Sequence, residues 1–356
     1  MNKLQGARVS WLPQDAAAKY GDVRLKALCY AILAPSPHNT QPWKLKLDGE
    51  NGILVFIDPK RTLPMCDPTA RQAYMGSGAF LEVLSIAATA LGRRADITLF
   101  PHGQDAIEKT GVSPVARVEL GKPADSSDDL FAQVPLRTTN RRPYKNEAPS
   151  LAEIARFATL FQGGGCQLAI ITDRVRLDAA AVILTRAMRI ETFLARTYRE
   201  TMQYFRFNDE EVLKYRDGFN YENMGITGLG KQVLELTSGR KSSNGGFFKN
   251  STVASFRKMA ENTAALGLIS STENDRAAQV AVGCRYARLQ LTATGMGISL
   301  QPMTQVTEEY PEMAGAGQEF RQMFSNVSGH LQLVVRMGRA APLPHSARRR
   351  LEDMLC

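Results

Sequence analysis

Two stretches of this 356-residue chain read as one helix written twice. Segment 71–92, RQAYMGSGAFLEVLSIAATALG, aligns without a gap on segment 276–297, RAAQVAVGCRYARLQLTATGMG. Arg71, Ala73, Gly78, Leu84, Ala88, Thr89 and Gly92 meet Arg276, Ala278, Gly283, Leu289, Ala293, Thr294 and Gly297. In the first copy Phe80, Leu81, Leu84, Ala87, Ala88 and Leu91 recur at helical spacing and form an apolar stripe. Both copies stop at glycine, as helices often do. A repeated core helix constrains the chain to two related halves, and with 44% hydrophobic residues the chain has enough apolar surface for two cores. The Ser/Asp-rich stretch 121–129 marks the junction, giving a first half over 1–125 and a second over 130–356. The second half carries an extra segment at about 200–250, rich in aromatic, glycine and charged residues. It reads as helices joined by loops, serving as a lid over a site or as a peripheral elaboration.

Strand candidates are short apolar runs ended by Gly, Pro or Asp, at 52–59, 95–101, 116–120, 166–173, 264–270 and 331–338. Long helical patterns alternate with them, so the expected class is α+β. Ser150 followed by Glu153 predicts a capping box at the start of a helix.

Several function classes fall away. The five cysteines are scattered with no CxxC pair, and the four histidines form no HExxH pattern, so neither a disulfide framework nor a metal site is expected. GMGISL (295–300) lacks the third glycine of a dinucleotide fingerprint and ends a helix. GSGAF (76–80) lacks the spacing of a nucleophile elbow. The first residues hold no apolar leader, and no apolar run approaches the ~20 residues of a bilayer span. A cytoplasmic protein with no membrane partner is the expectation.

The formal charge of +9 admits nucleic acid, a membrane surface or an anionic small ligand. Its arginines concentrate in RTTNRR (137–142) and RRR (348–350), neither interleaved with aromatics as a single-strand platform would be. In an extended segment Arg137, Thr139 and Arg141 share one face and suit a phosphate, although surface charge explains the same spacing. The other notable stretch is APSPHNTQPWKL (34–45). Its three prolines forbid regular structure and hold Ser36, His38, Asn39 and Gln41 on a rigid, irregular backbone. Trp43 reads as a core anchor.

These elements together resemble the FMN-dependent nitroreductase superfamily. APSPHNTQPW is similar to its APSxxNxQPW element, and RTTNRRPY to its Arg-x-Ser-x-Arg element with Thr139 in place of serine. With ARQAYMGSGA (70–79), GISLQPMTQ (297–305) and the arginine-rich C-terminus, the set most resembles the Acg-type branch, Ala70 standing where glycine is usual. The resemblance implies a nitroreductase-like fold in which two tandem halves form an intramolecular pseudo-dimer. It also implies one complete composite FMN site and a degenerate second one. By position, Pro35, Ser36, Pro37 and Asn39 would line the flavin or its ribityl chain. Arg137, Thr139 and Arg141 would hold phosphate and ribityl oxygens. Pro302, Met303 and Thr304 would pass the isoalloxazine and offer a backbone N–H to N5, and Arg348 and Arg349 would add phosphate contacts. No catalytic side chain is implied beyond flavin N5 itself, His38 being the one nearby titratable group.

The implied function is an FMN-dependent oxidoreductase passing electrons from NAD(P)H to a nitro, quinone or other conjugated acceptor. An FMN-storage protein with a closed site and a flavin-dependent dehydrogenase or oxidase are the alternatives. The expected partner is a small-molecule substrate and not nucleic acid, with a monomeric pseudo-dimer as the simplest state.

Overall fold

The computed structural model describes residues 3–104, 110–124, 128–237, 239–240 and 242–356. The first part of the chain contains α1 (Pro13–Ala17), α2 (Val23–Ala31), β1 (Trp43–Asp48), β2 (Gly52–Ile57), α3 (Arg71–Ala90), β3 (Asp96–Leu99) and β4 (Ala116–Glu119). After it come α4 (Leu151–Thr159), β5 (Cys166–Ile171), α5 (Arg174–Phe193), α6 (Ala195–Gln203), β6 (Phe205–Arg206), α7 (Asp209–Tyr215), β7 (Phe219–Asn220), α8 (Gly228–Thr237) and α9 (Gly246–Glu261). The chain continues through β8 (Ala265–Ser271), α10 (Arg276–Gly295), β9 (Ser299–Pro302), α11 (Ala314–Met323) and β10 (His330–Gly338). Part of the proposed junction, 125–127, lies outside the described residues.

Five α-helices begin at a side chain that accepts from their unpaired N–H groups. Asp22, Asp173, Asn208 and Asp275 cap α2, α5, α7 and α10. Ser150 and Glu153 form the expected capping box on α4. Helix α3 starts differently. Its first N–H groups, on Gln72 and Ala73, donate to the Asp67 carboxylate at 3.1 Å each. Ala70, just before the helix, has φ 57°. That left-handed conformation favours glycine, which accounts for glycine being usual at this position in the family that the sequence resembles.

Two four-stranded antiparallel sheets run in the orders β1-β2-β4-β3 and β5-β8-β10-β9. Taken within each part of the chain, both orders are first, second, fourth, third, and the long helix lies between the second and third strands in both. The six strand candidates all correspond to strands. Missing from the sequence reading were β1, β9 and the two-residue strands β6 and β7, which pair in a small parallel sheet of their own. Strand β1 alternates buried Trp43 and Leu45 with exposed Lys44 and Lys46, a period-2 signal partly masked by the preceding prolines. The two parts differ between their first and second strands: 49–51 suffices in one, whereas 172–264 intervenes in the other. The extra segment therefore begins well before residue 200.

The repeated helices pack against each other, and the repeat explains how. A Cβ on Gly78 would lie 1.9 Å from the Val280 carbonyl oxygen, and one on Gly283 would lie 1.9 Å from that of Met75. Gly78 aligns with Gly283 and Met75 with Val280, so the crossing is the same contact made twice about a local pseudo-twofold. Helix α3 is also long and apolar enough to cross a membrane by composition alone, but 78% of its apolar window is buried here as a core helix.

The division along the sequence is not a division in space. Leu45 N–H donates to Met354 at 2.8 Å and Cys356 N–H donates to Leu45 at 2.9 Å, so the C-terminal tail lines the β1 edge. Conversely, Thr139 bridges Leu300, extending the second sheet beyond β9. These two crossings carry the arginine-rich segments back to the loop that precedes β1.

Candidate functional site

The loop 34–42 is held by bonds, not only by its prolines. His38, Asn39 and Gln41 all have positive φ, at 46°, 54° and 49°. Three non-glycine residues in that region carry strain that surrounding contacts must offset. The Gln41 N–H donates to Ser36 Oγ at 3.0 Å. Asn39 Nδ2 donates to the carbonyls of Gly218 and Ala347, at 2.9 and 3.0 Å. Gln41 Nε2 donates to Arg216 O at 3.0 Å, and its Oε1 accepts from Arg349 N–H at 2.8 Å. The loop thus joins the β1 entry, the inserted segment and the C-terminal tail. Trp43 is fully buried and packs against Phe80, 4.8 Å between ring centroids, as a core anchor.

Above this loop lie two adjoining cavities. The smaller, about 50 Å³, is lined by Ser36, Asn39, Arg137, Thr139, Arg141 and Arg348 among others. Arg137 and Arg348 are buried and flank the Trp11 ring, their guanidinium carbons 5.5 and 5.0 Å from its centroid. Both donate to the Leu33 carbonyl. Arg348 also donates to Asn39 Oδ1. Nε of each arginine is buried without a partner. Among the described residues no carboxylate pairs with Arg137, Arg141 or Arg348. Burial draws Arg137 down to about 10, and burial with the nearby Arg137 charge holds Arg348 well below the usual arginine range. Unpaired buried cations are costly unless an anion completes them. His345, stacked on Trp11 at 4.1 Å, lines the same cavity and is lowered to about 4 by burial and by Arg137.

The larger cavity, about 850 Å³, shares Pro35, Ser36, Thr139, Arg141 and Phe219 with the smaller. Pro37, His38, Gly76, Pro302 and Thr304 line it too. Gly76 permits close approach of the loop, since a Cβ there would lie 3.3 Å from Pro37 Cδ. The inserted segment supplies much of the far wall, including Tyr198, Phe205, Tyr221, Phe248 and Phe256. His38 is lowered to about 4, by burial first and then by Arg141. It is therefore neutral near pH 7.

Of the residues singled out in sequence, Pro35, Ser36, Pro37, His38, Asn39, Arg137, Thr139, Arg141, Pro302, Thr304 and Arg348 line one cavity or both. Met303 and Arg349 do not. The Met303 side chain is fully buried in the core, and its N–H is taken by Val334 O at 2.7 Å. Arg349 bonds the Gln41 and Asp353 carbonyls and ties the tail to the loop. Sequence reading missed Trp11, His345 and Tyr286, and also Glu191 and Glu308, which line the larger cavity. Glu191 sits on an ordinary-looking charged helix and Glu308 in a charged pair, so neither carries a local signal.

The chain is similar over nearly its whole length to proteins of Mycobacterium tuberculosis provisionally named NAD(P)H nitroreductases. Rv3131 is 26% identical over 92% of this chain and 89% of its own. The protein acg is 24% identical over 94% and 95%. The Acg-type nitroreductase likeness read in the sequence therefore extends over nearly the whole chain. No protein-family model matches the chain. Weak likenesses to solved structures include iodotyrosine deiodinase bound to FMN and 3-iodo-L-tyrosine, with TM-score 0.38 and 16% identity over 62% of this chain and 96% of that one. A BluB-like flavoprotein from Clostridium difficile has TM-score 0.40 and 10% identity over 64% and 98%.

Proposed function

We propose that this chain is an FMN-dependent oxidoreductase that takes electrons from NAD(P)H and delivers them to a conjugated acceptor such as a nitro compound or quinone. One observation carries the reading: three arginines without carboxylate partners converge on a small polar cavity that opens against a large, mostly apolar one. A ligand with a phosphate at one end and a flat conjugated ring at the other satisfies both, and the relatives' names point to the same chemistry. Arg137, Arg141 and Arg348 would hold the phosphate, with Ser36 and Thr139 beside the ribityl chain. Pro35, Pro37, Pro302 and Thr304 would border the ring. Bound FMN would supply hydride exchange at N5. The protein's part is to fix the ring by the strained 34–42 loop and to exclude water behind the inserted segment. Neutral His38 is positioned to hydrogen-bond a ligand without bringing a charge.

The visible spectrum of the purified protein, titrated anaerobically with NADPH and NADH, tests this directly. A flavin spectrum that bleaches with either nucleotide and recovers with an acceptor is expected. Bound flavin that only dithionite reduces would favour storage, and a protein with no affinity for FMN would end the flavin reading.

A further inference from the structure

The larger cavity has a second polar region that phosphate and flavin contacts leave unused. Glu191, on α5, and Glu308 both line it, 4% and 8% exposed. Glu191 Oε1 accepts from Thr201 Oγ1 at 3.0 Å, but its Oε2 has no partner. Glu308 Oε2 and Gln305 Oε1 are likewise buried without partners, and both residues line the cavity. His38 Nε2 stands 4.0 Å from Glu191 Oε1 and is itself neutral near pH 7. Among the described residues no lysine or arginine pairs with either glutamate. Buried carboxyls are ordinarily paired, so two of them open to one cavity mark a place for a complementary group.

We infer that this cavity admits an organic cation, an acceptor whose apolar or aromatic body lies along the Tyr198, Phe205, Phe219 and Phe256 walls and whose amine or ammonium group is seated at Glu191 and Glu308. The inference rests on the oxidoreductase reading for the ligand's role as acceptor, but not for its binding. Electrostatics support the geometry. Burial, reinforced by Glu191, pushes the Glu308 carboxyl well above the usual carboxylate range, and burial raises Glu191 as well. Glu200 raises Glu191 further and Asp67 raises Glu308, while Gln305 and Thr201 beside Glu191, and Tyr310 and Gln72 beside Glu308, act in the opposite direction. Arg141 acts on His38, and Arg71 acts on Asp67. Both shifts favour the protonated carboxyl, and a cation seated beside it would favour the carboxylate and so the release of a proton.

Calorimetric titration of the purified holoprotein with 4-nitrobenzylamine and with its neutral match, 4-nitrobenzyl alcohol, tests this in two buffers of different ionisation enthalpy. The amine is expected to bind at least about tenfold more tightly, with net proton release near pH 7. Glu308→Gln and Glu191→Gln are expected to bring the two affinities within about threefold and to abolish proton release, while the flavin spectrum reports that each variant is folded. Equal affinities in the wild type, or an amine preference that survives in both variants, overturns the inference. A protein that is reduced by NAD(P)H and turns over acceptors regardless of charge would keep the oxidoreductase reading and lose this one. Amine preference in a protein without affinity for FMN would do the reverse.

Discussion

At the residue scale the site is defined by charges left unpaired. In the proposed site Arg137, Arg141 and Arg348 would each add a charge-assisted donor, worth roughly 1.5–3 kcal/mol to a phosphate. Alanine at any one of them is expected to weaken FMN binding by about ten- to a hundredfold, read from quenching of flavin fluorescence. Unchanged affinity in all three variants would remove the phosphate role. Arg349→Ala provides a contrast, because its guanidinium holds the tail and touches neither cavity. Its effect should appear in thermal stability before FMN affinity. Acid sensitivity follows from His38 and His345, both lowered to about 4. Between pH 6.5 and 4 the unfolded chain binds protons that these folded side chains refuse, so stability is full above about 6.5 and falls as pH drops toward 4. Melting curves across that range should show the loss, and the double variant His38→Gln/His345→Gln should lose less over the same interval.

Among the elements, the crossing of α3 and α10 is the most demanding contact. Its close approach depends on Gly78 and Gly283, each facing a backbone carbonyl that no rotamer change can move away. Alanine at either is expected to cost about 1–3 kcal/mol by forcing the helices apart, measured by urea unfolding. Gly315, within α11, has nothing within 4 Å of an added Cβ. Gly315→Ala should instead be neutral or stabilise by up to about 1 kcal/mol, as helix propensity alone dictates. A loss at Gly315 as large as at Gly78 would mean that the close crossing is not what makes Gly78 and Gly283 intolerant of a side chain. The repeat was legible as sequence because small residues are required at a close crossing. What it could not convey is that the matched glycines pack against the partner helix and not against one another.

For the whole molecule, two chain crossings assemble the site. Residues 137–141 reach it along the β9 edge, while the tail brings Arg348 to the loop beside β1. One composite site per chain is the expectation. Extraction and quantification of flavin from the pure protein should therefore give one FMN per polypeptide, and a value of two would mean that the pseudo-symmetric position also binds. The sequence by itself determined the local elements: the duplicated helix, the α+β class, most strands, the capped helix starts and the rigid 34–42 loop. Each of these follows from periodicity, capping or proline geometry within a few neighbouring residues. Of the residues it marked through resemblance, most line one of the two cavities. Only the tertiary structure decided which of them face a cavity. Met303 was consumed by the core, Arg349 by the tail, and the unsignalled Glu191 and Glu308 were each left with one carboxyl oxygen unpartnered in a cavity wall. Burial and hydrogen-bond completion depend on residues hundreds of positions apart, and that information exists only once the chain has closed on itself.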